Sequence, residues 1–213
     1  MKDLAIYGAG GLGREIAALV KLIDSHESKW NFIGFFDDGK PKDFKNEYGK
    51  VLGDINDLNA WKDPIDIFLA IGSPKYLRKI SEEITNPLVE FPNLISPNTI
   101  VLDPNNFNIG KGNIICPFCS ISCNVMIGDF NIFNWRISLG HDDRIGNYNV
   151  FMPGCLVSGE VTIGNENLFG GGSFIKQQIR IGNKTTLSPI SALLSKPKSE
   201  NLYIGNPAKI FKY

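Results

Sequence analysis

Ile-Gly recurs at positions 109, 127, 145, 163 and 181, always 18 residues apart. Each interval divides into three sixes, at Ile115, Ile121, Phe133, Leu139, Phe151, Val157, Phe169, Ile175, Leu187 and Leu193. All fifteen positions hold Ile, Leu, Val or Phe. Those four types make up 67 of the 213 residues, so a random set of fifteen would contain about five. A period of six does not match an α-helix, whose faces recur every three to four residues. It matches short strands joined by turns, one inward side chain on each side of a three-sided coil.

The fourth residue after each lattice position is often small or β-branched, as at Cys119, Val125, Cys155, Val161, Ser173, Thr185 and Ser191. A corner pointing at the axis of a narrow prism demands such residues. Coils then stack at sheet spacing, about 4.8 Å. Five coils exceed the roughly three that a repeat array needs for a continuous core. The expected architecture for this stretch of the chain is a parallel β-helix.

The first half reads differently. Leu4 to Tyr7 is a buried strand that enters Gly8-Ala9-Gly10-Gly11-Leu12-Gly13, followed by a helix from Arg14 to about Ile23. Asn31 to Phe36 is a second strand, closing on Asp37-Asp38-Gly39. Ile55 to Trp61 reads as a short helix, Ile65 to Ile71 as a strand, Pro74 to about Ile84 as a helix, and Phe91 to Ile95 as a last strand. Alternation of strand and helix implies a small parallel α/β sheet. The Gly-x-Gly-x-x-Gly turn lets backbone approach closely, and the helix N-terminus offers free N–H groups to an anion. We place the domain boundary after residue 95, giving domains 1–95 and 96–213.

Lys plus Arg equals Asp plus Glu, so the formal net charge is zero and no basic face marks a nucleic-acid site. The start of the chain lacks the pattern of a signal peptide, and no apolar run reaches the 18 residues of a membrane helix. A cytoplasmic protein without membrane insertion is expected. Cys116, Cys119 and Cys123 have a spacing suggestive of a metal site. Cys119 and Cys155, however, fall on inward corners of the repeat, so the cysteines read as structural thiols and no metal is expected.

The chain has two histidines. His26 lies in the polar stretch Asp24-Ser25-His26-Glu27 and reads as solvated surface. His141 lies two residues after lattice residue Leu139, at a turn on the outside of the prism, and packing does not call for an imidazole there. Asp142 and Asp143 follow it. An imidazole near pKa 6.5 takes a proton at neutral pH, and a carboxylate on its other nitrogen fixes the tautomer.

The [Ile/Leu/Val]-Gly-x4 repeats resemble the left-handed β-helix of hexapeptide acyltransferases. IYGAGGLGREI, FFDDGK, AIGS, GHDDRIG and the terminal GNPAK, in that order, resemble the NeuD/PglD-like sugar acetyltransferases over nearly the whole chain. The resemblance implies a half-Rossmann-like α/β domain for a nucleotide-linked sugar, followed by a left-handed parallel β-helix. It implies acetyl-CoA as co-substrate and a homotrimer with sites between subunits.

By matching motif, His141 is the general base, Asp142 raises its basicity and Asn134 helps to position the acceptor. Gly10, Gly11 and Leu12 face the diphosphate, Asp37 and Asp38 the ribose or base, and Ile71, Gly72 and Ser73 line the pocket. Val150, Gly171, Gly172, Pro189 and Lys209 lie along the CoA, with Lys196 and Lys198 as further candidates for its phosphates. Gly154 and Gly170 to Gly172 are candidate oxyanion donors. Many members of the family carry histidine at the positions of Leu12 and Val150.

The leading expectation is acetyl transfer to the amino group of a nucleotide-linked amino sugar. O-acetylation of a sugar, as of sialic acid, is the alternative. A non-catalytic nucleotide-sugar-binding trimer and NAD-linked chemistry at the glycine turn are the readings from other classes.

Overall fold

The computed structural model describes residues 1–27 and 29–212, and the chain divides into two compact units, Met1–Asn93 and Leu94–Tyr213. The side chains of residues 25–27 lie outside the described residues, and the expectation for His26 falls there.

The first unit is a five-stranded, all-parallel sheet in the order β3-β2-β1-β4-β5. Its strands are β1 (Lys2–Tyr7), β2 (Trp30–Phe36), β3 (Val51–Gly53), β4 (Ile65–Leu69) and β5 (Val89–Glu90). The helices are α1 (Gly11–Glu27), α2 (Ile55–Asn59) and α3 (Pro74–Glu83). The central strands are near-continuous apolar runs because both sheet faces are covered. Leu4, Ala5, Ile6, Ile65 and Ile67 are fully buried. Asp66 is the polar exception on β4. It accepts the Trp30 indole N–H at 2.9 Å and pairs with Lys2 at 2.6 Å, which offsets the cost of burying its charge. Helix α2 starts in a capping box, with the Asp54 carboxylate on the N–H groups of Asn56 and Asp57.

Two details differ from the sequence expectation. The three-residue β3 carries too little pattern to be seen. The expected strand at Phe91 to Ile95 is two elements, because Pro92 interrupts it. Val89–Glu90 closes the first sheet against Ile65 and Asp66, while Leu94–Ile95 pairs with Ile114 and Ile115 as the first rung of the second unit. The first unit therefore ends at Asn93, slightly ahead of the expected boundary.

The second unit is a left-handed parallel β-helix of three faces. The first face runs from Leu94–Ile95 to Leu202–Ile204, where Lys209–Ile210 adds an antiparallel rung. The second runs from Ile100–Val101 to Ala192–Leu193, and the third from Asn108–Ile109 to Arg180–Ile181. Paired residues on each face stand 18 apart through the repeats. The lattice residues point inward and form one core. On the first face Phe133, Phe151 and Phe169 stack at centroid distances of 4.8 and 4.7 Å.

The Ile-Gly period has a steric cause. Gly110, Gly128, Gly146, Gly164 and Gly182 line the edge between the third and first faces. A Cβ on Gly128 would stand 2.1 Å from the Asn147 Oδ1 and 2.8 Å from the Gly146 carbonyl. Three positions on along the same edge, Asn113, Asn131, Asn149 and Asn167 form a buried amide ladder. The Oδ1 of Asn131 accepts the backbone N–H of Asn149 at 2.9 Å and its Nδ2 at 3.0 Å, and the pattern repeats one coil on. The buried amides of this edge are thus hydrogen-bonded, as stability requires.

Candidate active site

Through the repeats from Ile109 to Leu193, each corner of the β-helix is a four-residue turn whose third residue has a positive φ. Asp142 takes this place at +62°, as do Asn124, Arg136, Tyr148 and Glu160 in neighbouring turns. This backbone throws the second residue of the turn outward. In the turn between the second and third faces that residue is His141, whose side chain is 56% exposed.

His141 Nδ1 lies 2.8 Å from Asp142 Oδ2. The other oxygen of Asp142 accepts Asn124 Nδ2 at 2.5 Å from the previous coil. The bonds from His141 and Asn124 hold the Asp142 carboxyl below the usual carboxylate range, so it is ionised and Nδ1 is the donor. The same bond raises the His141 pKa above its ordinary 6.5, with help from the charges of Asp142, Glu160 and Asp143. Nε2 is left with its lone pair. The ring lies over Gly159 of the next coil, where an added Cβ would come 2.5 Å from Nε2. An exposed imidazole with a fixed tautomer and a free Nε2 is built to accept a proton.

Asp143 points the other way. It is fully buried, and burial pushes its pKa up to about 7. Its oxygens accept the N–H groups of Gly140 and Val161, each at 2.9 Å.

The other expected residues of the second unit, Asp142 apart, do not surround His141 in this chain. Asn134, Gly171, Gly172 and Pro189 lie on the edge between the first and second faces. Asn134 is nearly buried there, its Oδ1 on the Trp135 N–H at 2.9 Å. Gly154 and Gly170 share that edge. Val150 is 1% exposed on the first face, between Ile132 and Leu168, and belongs to neither edge. Lys209 lies in the short antiparallel rung against Ile204. Cys119 and Cys155 are buried and free, their thiols donating to the carbonyls of Asn134 and Gly170, each at 3.1 Å.

In the first unit a cavity of about 470 Å³ opens at the N-terminus of α1. Ala9, Gly10, Gly11, Arg14, Lys40, Phe44, Lys45, Asn46 and Glu47 line it. Gly10 and Gly11 were expected here. Phe44 and the cations Lys40 and Lys45 were not, since the loop that carries them has no periodicity to read. Gly13 packs so close to the Gly8 carbonyl that a Cβ would stand 1.8 Å from it. Asp37 spends its carboxylate on the N–H groups of Ala9 and Gly39, and Asp38 accepts the Tyr7 hydroxyl and the Ile55 N–H. Asp37 thus holds Ala9, which lines the cavity, and neither carboxylate is among the lining residues. Leu12, Ile71 and Ser73 are half-buried and Gly72 is exposed.

The PglD N-terminal domain family matches residues 3–84. WeeI from Acinetobacter baumannii AYE superposes with a TM-score of 0.89 at 28% identity, covering 99% of this chain and all of that one. The acetyltransferase domain of PglB from Neisseria gonorrhoeae, in complex with acetyl coenzyme A, superposes with a TM-score of 0.86 at 26% identity, covering 99% of both chains. This chain belongs to the NeuD/PglD-like sugar acetyltransferases. A GDP-perosamine N-acetyltransferase of Escherichia coli O157:H7 is 31% identical over 142 residues, which are 67% of this chain and 63% of that protein. The chain thus aligns with somewhat under two thirds of the length of that relative. The PglB domain and the Escherichia coli protein are both acetyltransferases. No helix among the described residues is long and apolar enough to cross a membrane.

Proposed function

We propose that this protein transfers the acetyl group of acetyl-CoA to the amino group of a nucleotide-linked amino sugar, with His141 as general base. The observation that carries the reading is the exposed His141 ring, held through Nδ1 by an ionised Asp142 and free at Nε2. The neutral amine attacks the thioester carbonyl, Nε2 takes the proton the nitrogen sheds, and the C–S bond breaks as the tetrahedral intermediate collapses. The proton then returns to the departing CoA thiolate. A thioester is activated enough that no covalent enzyme intermediate is needed. The amine, rather than a hydroxyl, is favoured by the N-acetyltransferase among the relatives.

The nucleotide belongs in the first unit, where free N–H groups of α1 and the ammonium groups of Lys40 and Lys45 suit a diphosphate. A homotrimer completes the second site. His141 and the edge carrying Asn134, Gly171, Gly172 and Pro189 flank the second face on opposite sides, so a neighbouring copy is needed to bring them together. The exposed apolar side chains Phe118, Trp135, Met152, Leu156 and Ile190, the last 82% exposed, suit such an interface. The need for acetyl-CoA favours the cytoplasm as the compartment of the reaction.

The test is CoA-thiol release with a panel of nucleotide-linked amino sugars. Turnover with at least one of them is expected, and H141N should lower kcat by about a hundredfold or more. Unchanged turnover in H141N, or no acetyl transfer across the panel, overturns the reading.

A further inference from the structure

The inner corner beneath His141 holds a residue that packing does not explain. Along that edge the inward column reads Val125, Asp143, Val161 and Ile179, an acid among aliphatic side chains. No cation pairs with Asp143 among the described residues; its carboxylate rests on two N–H groups alone. A valine would fill the same place without the cost of burying a charge.

The amide ladder on another edge makes the choice of acid informative. There the inward residue is asparagine, whose NH2 donates to carbonyls while its oxygen accepts from the next coil. Asp143 keeps the second of these bonds, from Val161 N–H. In place of the first it accepts a further N–H, from Gly140, the residue just before His141. An amide cannot accept at both ends, so aspartate is the residue that fits.

That contact changes the backbone. In the coils before and after, the matching N–H groups stay in the ladder: Ser122 donates to the Leu139 carbonyl at 3.1 Å and Ser158 to the Ile175 carbonyl at 3.0 Å. Gly140 N–H makes no such bond to Val157 among the described residues and turns to Asp143 Oδ2 instead. The Leu139–Gly140 peptide, just ahead of His141, thus keeps its carbonyl in the ladder and gives its N–H to a side chain.

We propose that Asp143 is a positioning residue for His141. Its buried carboxylate draws the Gly140 N–H out of the inter-coil ladder, ties it to the Val161 N–H of the next coil, and so fixes the turn that lays the imidazole over Gly159. This rests on the reading of His141 as the base.

D143V and D143N test it, each measured for kcat, KM and the imidazole ¹⁵N signals. With two histidines in the chain, the ring signal absent from H141N is that of His141. D143V should return Gly140 to the ladder and keep the fold. It should lower kcat about tenfold with KM for both substrates unchanged, and shift the His141 ring signals. D143N keeps the shape, loses one N–H contact and should show the same changes in smaller measure. A folded D143V with wild-type kcat and wild-type ring signals overturns the proposal; should D143V fail to fold, the same result from D143N does so. If the wild type transfers no acetyl group, the proposed function fails by itself, and the ring signals still decide whether Asp143 sets the imidazole.

Discussion

The imidazole of His141 rests on the backbone of Gly159, one coil further on, with Nε2 where a side chain would otherwise begin. G159A puts a methyl group 2.5 Å from that nitrogen, so the ring must swing away. The expected result is a fall in kcat of about tenfold with little change in KM for the nucleotide sugar. The melting temperature should barely move, since the exposed ring can yield without repacking the core. Steady-state kinetics and a thermal melt check this.

Asp142 sets the basicity of the same ring. Its carboxylate raises the His141 pKa, so kcat/KM should fall as pH drops through that raised value and the imidazole is protonated. D142N removes the charge and should move this acid limb to lower pH, while lowering the plateau about tenfold because the tautomer is no longer held. A pH–rate profile of the two proteins separates the effects.

Asp143 gives a stability prediction with a definite sign. Its folded pKa of about 7 lies above the unfolded carboxyl value of about 3.9. Between those limits the folded state binds more protons, so its contribution is fully present below the lower value and lost as pH rises through the upper. The melting temperature of D143V relative to wild type should therefore climb from pH 4 to pH 8 and then level. His141 and Asp142 are common to both proteins, so they largely cancel in the difference.

The amide ladder should be costly to break. N149A leaves the Asn167 N–H and Nδ2 without the oxygen they share, and takes the side-chain donor from Asn131. A loss of about 3 kcal/mol in denaturant unfolding is expected. Replacing an exposed neighbour on the outside of that edge, such as Lys184, should cost far less.

The β-helix was legible because each inward position reports independently: a side chain facing the axis is apolar whatever the next coil holds. His141 was legible for a related reason, being a residue the repeat has no use for. The asparagines at 113, 131, 149 and 167 occupy the same fourth positions as Cys119 and Val125, and their pattern gains meaning once coils are stacked and amide meets amide. Gly159 carried no signal, because its contribution is empty space beneath a ring 18 residues away. The role of Asp143 was hidden too. The sequence shows an acid on an inward position, but the diverted Gly140 N–H is visible only against the ladder of the other coils.

The left-handed residue in each turn has a consequence for how such a protein changes. Phe118, Arg136, Asp142, Glu160, Gln178 and Ile190 include apolar, basic, acidic and amide side chains, yet share one backbone geometry that L-residues rarely adopt. The inter-coil scaffold, not the local side chain, pays for that geometry. Each corner is therefore a standard socket, which takes a different side chain without a change of backbone. Acquiring a new substrate or losing an old one can proceed one socket at a time, with the spiral as an indifferent frame.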